Sequence, residues 1–346
     1  MRNLKFISFW LLLTVGLATV VFNSCKDDKD DSKQETTDPD NPNGNNGNNT
    51  GKGDVYVAGM NGYKATIWKN GVAQYLTTNT QGEIGSIYVS GNDVYAVGRE
   101  YTGEDWIAKL WKNGVAQQSF SDGKKTNYTS VYVSKGDVYV AGREYNVQGK
   151  DVATLWKNGI AQYLTTNTEG WVFSVYVSGN DVYAAGYERN TQGKDIATLW
   201  KNGVKQELGI GDAKSVYVSG SDVYVAGESD SKAVVWKNAV KQELGSNRSN
   251  AYAVYVSKGD VYVAGREQNA QGKYVATLWK NGVAQTLSDG SNSASANSVY
   301  ISGNDVYVAF DEGNQQYAKL WKNGVVQILA NEVVSRTEAN CVFVVE

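Results

Sequence analysis

The chain has 346 residues, with 33 Lys and Arg against 36 Asp and Glu, a formal net charge of −3, and no histidine. Without an imidazole there is no His-based triad, no histidine metal ligand and no side chain that titrates unperturbed near neutrality. The small net charge and the lack of a basic stripe argue against a nucleic-acid partner and against polybasic lipid binding.

Residues 1–24 differ from everything that follows. Arg2 and Lys5 precede an apolar run from Phe6 to Phe22, and Ser24-Cys25 comes next. The run is short for a membrane span and has the flanks of a secretory signal. It resembles bacterial lipoprotein signal peptides, which are cut before a Cys that becomes lipid-modified. The resemblance implies a signal peptide over 1–24 and lipidation at Cys25. Phe22-Asn23-Ser24 departs from the commoner Leu-Ala-Gly or Leu-Ser-Ala pattern, a departure tolerated in the Bacteroidetes group. Lys26-Asp27-Asp28 resembles the export signal that sends lipoproteins of that group to the outer cell surface. The implied location is the outer membrane, lipid-anchored and exposed at the cell surface. An uncleaved N-terminal anchor is the alternative, and it too tethers the chain to a membrane.

Residues 25–52 begin with the candidate lipid-bearing Cys25 and continue in Asp, Asn, Gly and Thr with almost no apolar residue. Such a stretch buries too little surface to fold and is expected to be a disordered tether. As a coil of about 27 residues it spans roughly 30 Å.

From residue 53 a repeat takes over. Asp54, Asp93, Asp137, Asp181, Asp222, Asp260 and Asp305 each open an Asp-Val-Tyr element, and Trp68, Trp111, Trp156, Trp200, Trp236, Trp279 and Trp321 each open a Trp-Lys-Asn turn. Steps between the tryptophans are 43, 45, 44, 36, 43 and 42 residues, the length of a four-stranded propeller blade. In one repeat, Ser130-Val-Tyr-Val-Ser134 alternates, turns at Lys135-Gly136, and returns as Asp137-Val-Tyr-Val-Ala-Gly142. A polar loop leads to Val152-Ala-Thr-Leu-Trp156, and Asn158-Gly159 closes a hairpin onto Ile160 to Leu164. Asn-Gly suits a type I′ turn, whose two central residues have positive φ. Asn238-Ala239 breaks that rule, so another turn type is expected there.

A lone blade cannot bury both faces, so blades stack around an axis. The first repeat starts at its second strand, and the C-terminal Ala339-Asn-Cys-Val-Phe-Val-Val-Glu346 aligns with Ala296-Asn-Ser-Val-Tyr-Ile-Ser-Gly303. The expectation is an all-β, seven-bladed β-propeller of four-stranded antiparallel blades over 53–346, with the C-terminal strand closing the first blade. An eight-bladed ring or an open solenoid is the alternative. Cys341 stands where other first strands carry serine, and is read as a small packing residue.

Function is less legible. The short hairpin turns gather at one end of the ring, and the loops of variable length at the other, where specificity can be placed. Candidate ligand-binding residues there are Trp106 and Trp171, the mature tryptophans outside the repeated turn, with Tyr101, Tyr128, Tyr145 and Tyr187 nearby. Exposed aromatics supply contact area for sugars or proteins; packing onto their own loops is the plainer role. Glu100, Glu144, Glu188, Glu228, Glu267 and Glu312 form a near-ring after strand two. Arg99, Arg143 and Arg266 each precede one of them, so ion pairs between blades are expected, with a calcium site or a carboxylate pair as alternatives. The seven aspartates are read as caps of backbone N–H groups, and the seven turn tryptophans as inter-blade packing. No catalytic residue, metal ligand or cofactor is assigned; carboxylate-based polysaccharide cleavage is the least favoured option.

The Asn-Asp-Val-Tyr-Val-Ala-Gly element resembles repeats of bacterial seven-bladed propellers of secreted and surface proteins, and lacks the marks of WD40 and kelch repeats. The combination is similar to surface lipoproteins of gut Bacteroidetes. That resemblance implies a non-catalytic binding module for glycan or for an envelope or host protein. A structural subunit of an envelope assembly is the alternative.

Overall fold

In the computed structural model, the described residues are 53–117, 120, 125–313, 317–330 and 336–345. The expected signal over 1–24, Cys25 and the tether to residue 52 lie outside them.

Seven four-stranded antiparallel sheets contain all the strands of the described residues. Blade 3 illustrates them, with strands Thr126–Ser134, Asp137–Tyr145, Asp151–Lys157 and Ile160–Tyr163 running from the axis outward. Inner strands alternate buried and half-buried residues, whereas the outermost strands are short and almost wholly exposed. Keeping an edge strand to four residues limits its use as a template for pairing with other chains.

Closure is as expected. Val55–Asn61 pairs with Lys64–Lys69 on one side and with the C-terminal Thr337–Val344 on the other. Each interface between blades is an apolar layer into which one blade sends its turn tryptophan. Trp156 of blade 3 packs with Tyr95, Val97, Ala108 and Leu110 of blade 2. At the closing seam Trp68 of blade 1 meets Tyr307, Ala309 and Leu320 of blade 7 in the same way. Around the axis, Tyr88, Tyr132, Tyr176, Tyr217, Tyr255, Tyr300 and Phe343 touch neighbour to neighbour, with centroids 4.6 to 5.1 Å apart. A closed ring of seven aromatic rings excludes the eight-bladed and open alternatives. Burial pushes the Tyr132 and Tyr176 phenols upward, so they stay neutral.

Hydroxyls stitch neighbouring inner strands together. Ser130 Oγ accepts the Val175 N–H of the next blade at 3.3 Å, and Ser86, Ser174, Ser215 and Ser298 repeat the bond. Cys341 occupies this column: its Sγ contacts the Ile87 carbonyl at 3.9 Å, and burial raises its thiol pKa.

The Asp-Val-Tyr and Trp-Lys-Asn elements form one device. Asp137 Oδ1 accepts from Asn158 Nδ2 at 2.8 Å and its Oδ2 from Lys157 Nζ at 2.7 Å, while Asn158 Oδ1 accepts the Val138 N–H at 2.9 Å. All seven blades repeat this. The backbone is therefore capped by asparagine, and the expected capping role of the aspartates is corrected: they hold the Asn and Lys in place. The Lys157 ammonium also lies 5.3 Å from the Tyr139 ring centre. Asn238-Ala239 keeps the same turn, with φ of 49° and 65°, rather than the different one expected.

Every inner strand carries a bulge that periodicity did not announce. In blade 3 the pairing passes from Tyr128↔Gly142 to Ser130↔Ala141, leaving Thr129 unpaired. The facing glycine has a reason: a Cβ on Gly142 would lie 1.9 Å from the Asn127 carbonyl oxygen. Glycine is needed there for close backbone approach, not for positive φ. Blade 7 carries Phe310 at this place.

Candidate functional site

The bulges project side chains at the end of the axis where the variable loops gather. In three columns the blades differ from one another. The column two residues before each bulge residue reads Glu83, Asn127, Trp171, Asp212, Asn250, Ser295 and Glu338. The unpaired bulge residues are Gly85, Thr129, Phe173, Lys214, Tyr252, Asn297 and Asn340. Facing the first column on strand two are Met60, Arg99, Arg143, Tyr187, Glu228, Arg266 and Asp311. Strands that otherwise repeat thus end in a mouth of mixed chemistry.

Blade 4 supplies its aromatic sector. Trp171 and Tyr187 are cross-strand partners, and Phe173 lies 5.0 Å from Trp171 and 5.9 Å from Tyr187. Cations from both neighbouring blades cover this cluster: Arg143 Cζ sits 3.8 Å from the Trp171 ring centre and Lys214 Nζ 3.7 Å from that of Phe173. Each such contact contributes about 0.5–2 kcal/mol, more as it is desolvated.

Two cavities open at the mouth. One, of about 340 Å³, is lined by Glu83, Gly85, Arg99, Asn127, Thr129, Arg143 and Trp171 among others. The second, of about 310 Å³, is bounded by Arg266, Ser295, Asn297, Asp311, Glu338 and Asn340. In the second, Asp311 is buried at the closing seam. It accepts the Ala339 N–H at 2.6 Å and Asn297 Nδ2 at 2.7 Å, and burial, aided by nearby Glu338, pushes its pKa up to about 8. Glu338 accepts from Arg336 at 2.7 Å. In blade 5, Glu228 is also raised, by burial first and by Asp212 second, and it accepts from Asn250 of blade 6.

The six aromatic candidates scatter. Trp106 starts the third strand of blade 2, 5.6 Å from Tyr101 and 4.5 Å from Arg99 Cζ. Tyr101 donates its hydroxyl to the Gly103 carbonyl, so this pair packs onto its own loop. Tyr145 lines a separate cavity of about 530 Å³ at the rim of blade 3, with Glu144, Val147 and Tyr163. Trp171 and Tyr187 come together at the mouth, but Trp106 does not join them. Tyr128 is corrected: it is 2% exposed, edge-on to Trp156 at 5.1 Å, and its hydroxyl accepts the Phe120 N–H. Its side chain fills the apolar column of Ile84 and Val172 rather than standing exposed, while the residue still helps to line the cavity of about 340 Å³.

The acid ring is also corrected. Glu100 bonds Thr80 and Lys109, Glu188 bonds Thr168 and Lys205, Glu267 bonds Ser246, and Glu312 bonds Lys319. Glu228 stands one position earlier, in the Arg99 column. The arginines pair within their own blades, Arg99 with Glu83 and Arg143 with Asp151, rather than with the next blade's glutamate. Adjacent strand residues point to opposite faces, so the Arg of each Arg-Glu step turns toward the mouth and the Glu away. Among the described residues no three Cys, Asp or Glu side chains gather as a metal-holding cluster.

No family model matches the chain, and no curated protein matches it. Among solved structures it is similar to a DUF4623 family protein from Bacteroides eggerthii, at 9% identity and TM-score 0.38, over 66% of this chain and 68% of that one. It is similar to the acylaminoacyl peptidase of Pyrococcus horikoshii at 13% identity and TM-score 0.46, over 72% and 46% of the two chains. A Trypanosoma rangeli sialidase mutant displaying trans-sialidase activity aligns at 11% identity and TM-score 0.44, over 78% and 52%. The chain spans about half the length of these last two proteins. Likenesses this distant carry no functional argument.

The mouth residues were missed for a simple reason. Arg99 and Arg143 read as members of ion pairs, and the bulge column looked like ordinary strand. Comparing the repeats column by column would have found both, because these columns vary where their neighbours do not.

Proposed function

We propose that this chain is a cell-surface lipoprotein, anchored at Cys25, whose propeller is a non-catalytic binding module for a glycan. The observation that carries the reading is the variation confined to the mouth. Seven blades keep their turns and tryptophans, and five keep the seam hydroxyl, yet they differ at the three columns that bound two cavities. An aromatic sector beside amides, carboxylates and guanidinium groups suits a polyhydroxyl ligand, whose ring has apolar faces and a rim of donors and acceptors. The anchor rests on the resemblance of residues 1–28 to lipoprotein export signals.

Two experiments test this reading. Metabolic labelling with a fatty acid should mark the wild-type chain and not Cys25→Ala, and protease added to intact cells should remove the propeller. An array of complex polysaccharides should retain the chain. If it retains none while a specific envelope protein co-purifies, the ring is a subunit of an assembly instead.

One observation favours a second reading, polysaccharide cleavage. Asp311 and Glu338 are both buried and line one cavity, and Asp311 holds its proton near neutrality. Both carboxyls are engaged in holding the seam, which favours binding over turnover. Release of new reducing ends that Asp311→Asn abolishes would reverse that order.

A further inference from the structure

The cavity between blades 2 and 4 has a composition that defines its ligand more narrowly. This step rests on the glycan reading above. Two guanidinium groups, Arg99 and Arg143, line it. Arg99 spends Nε on Glu83 Oε1 at 2.7 Å, and among the described residues no hydrogen bond occupies its two Nη groups. Arg143 gives Nη1 to Asp151 Oδ2 and keeps its Nε buried, which leaves Nη2 as the group it can offer a ligand. Trp171 of the next blade holds the Arg143 plane from one side. Fixed N–H forks are therefore presented beside the Asn127 amide, which lines the same space.

Charge decides what the forks are for. Each guanidinium is neutralised by a carboxylate of its own blade, Glu83 for Arg99 and Asp151 for Arg143. Of the two acids only Glu83 lines the cavity, while Asp151 offsets Arg143 from outside it, so an anionic ligand would gain little net attraction. Vicinal hydroxyl groups gain from both: the free N–H groups donate to one oxygen and the carboxylate accepts from its neighbour. The volume, about 340 Å³, is at the small end of ligand sites and suits a single ring rather than a long chain.

Gly85 makes the space. Every other blade carries a side chain in this bulge column, and only blade 2 has none. Gly85 does not adopt positive φ. A Cβ there would meet the Thr129 carbonyl at 3.4 Å, an ordinary contact. The backbone does not require glycine, so its absence of side chain is open to a role in admitting a ligand. We infer that the Gly85, Arg99 and Arg143 cavity binds one uncharged sugar ring through its vicinal hydroxyls.

Titration calorimetry on the full mature chain tests this, with mannohexaose, maltohexaose and hexagalacturonate as probes. A neutral hexasaccharide should bind, with affinity changing by less than about twofold between low and physiological salt. Gly85→Asn places in the cavity the residue that blades 7 and 1 carry as Asn297 and Asn340, so the fold is expected to persist. Binding should fall at least about tenfold, equivalent to about 1.4 kcal/mol, with Tm unchanged. Arg143→Lys, which keeps the charge and loses the fork, should weaken binding similarly and serves if Gly85→Asn does not fold. Binding confined to hexagalacturonate with steep salt dependence overturns the inference. So does neutral-sugar binding that ignores both substitutions, which would leave the broader glycan reading standing. Failure of all three probes, with no polysaccharide retained on the array, overturns both.

Discussion

At Asn238-Ala239 the fifth blade keeps a turn that its sequence disfavours. Ala239 sits at φ 65°, where an L side chain crowds the following carbonyl by about 1–2 kcal/mol, while the other turns place glycine there. Replacing Ala239 with Gly relieves the strain and returns part of the gain as unfolded-chain entropy, so a net stabilisation of about 1 kcal/mol is expected. Denaturant titration reads this as a higher midpoint at unchanged slope. The titrating residues predict two opposite trends. The seven turn aspartates are lowered from 3.8 by their Lys and Asn partners, so their contribution is present above that value and lost as pH falls below it. Their lysines are raised from 10.5, so theirs is present below that value and lost in strong alkali. Asp311 runs the other way: raised from 3.8 to about 8, it favours the fold below 3.8 and loses that contribution as pH climbs through 8. Wild-type Tm should therefore decline from pH 5 to pH 9, and Asp311→Asn should flatten that decline whatever its Tm at pH 5. An unchanged slope would mean Asp311 ionises normally.

At the scale of the element, the bulge is the feature that connects sequence to site. It removes one residue from the ladder, turns it toward the mouth, and in six of the seven blades is faced by a glycine, blade 7 carrying Phe310 instead. Gly142→Ala would drive a Cβ to 1.9 Å from backbone, with no flexible group to yield, whereas a Cβ on Gly85 meets nothing closer than 3.4 Å. Gly142→Ala is expected to destabilise by about 3 kcal/mol or more and Gly85→Ala by a small fraction of that. Comparable losses from the two would contradict the bulge as the reason for the repeated glycine. The contrast also marks how far sequence reasoning reaches. Strands, Asn-Gly turns and the closing C-terminal strand were legible because each rests on local periodicity or direct repetition. The bulges were not, because an Ala-Gly step in a strand has no local signature of the extra residue opposite. Tyr128 was misread although a signal existed: the same column carries Ile84, Val172 and Ala213, all buried. Trp171 was found because it stands outside the repeat, while Arg99 and Arg143 were read only as ion-pair partners because strand periodicity says which face they take and not who meets them there.

As a whole molecule the ring separates two jobs. One end repeats the Asp-Lys-Asn device in every blade, and the interior repeats tryptophan layers, seam hydroxyls and the aromatic ring about the axis. These account for stability and leave the opposite end free to differ blade by blade. The closing interface is of the same kind as the others, with Trp68 packed on blade 7 and Ser298 accepting the Val342 N–H at 3.1 Å. A mouth so framed is held by the whole ring, not by one loop. The account therefore stands on whether the mouth is where a ligand goes. The direct measurement is retention of complex polysaccharides by the wild-type chain and by Trp171→Ala, compared on one array with Trp106→Ala as the rim control. The account predicts a retained glycan that Trp171→Ala loses and Trp106→Ala keeps. Equal retention by all three, or loss only with Trp106→Ala, would place the site on the outer loops and contradict it.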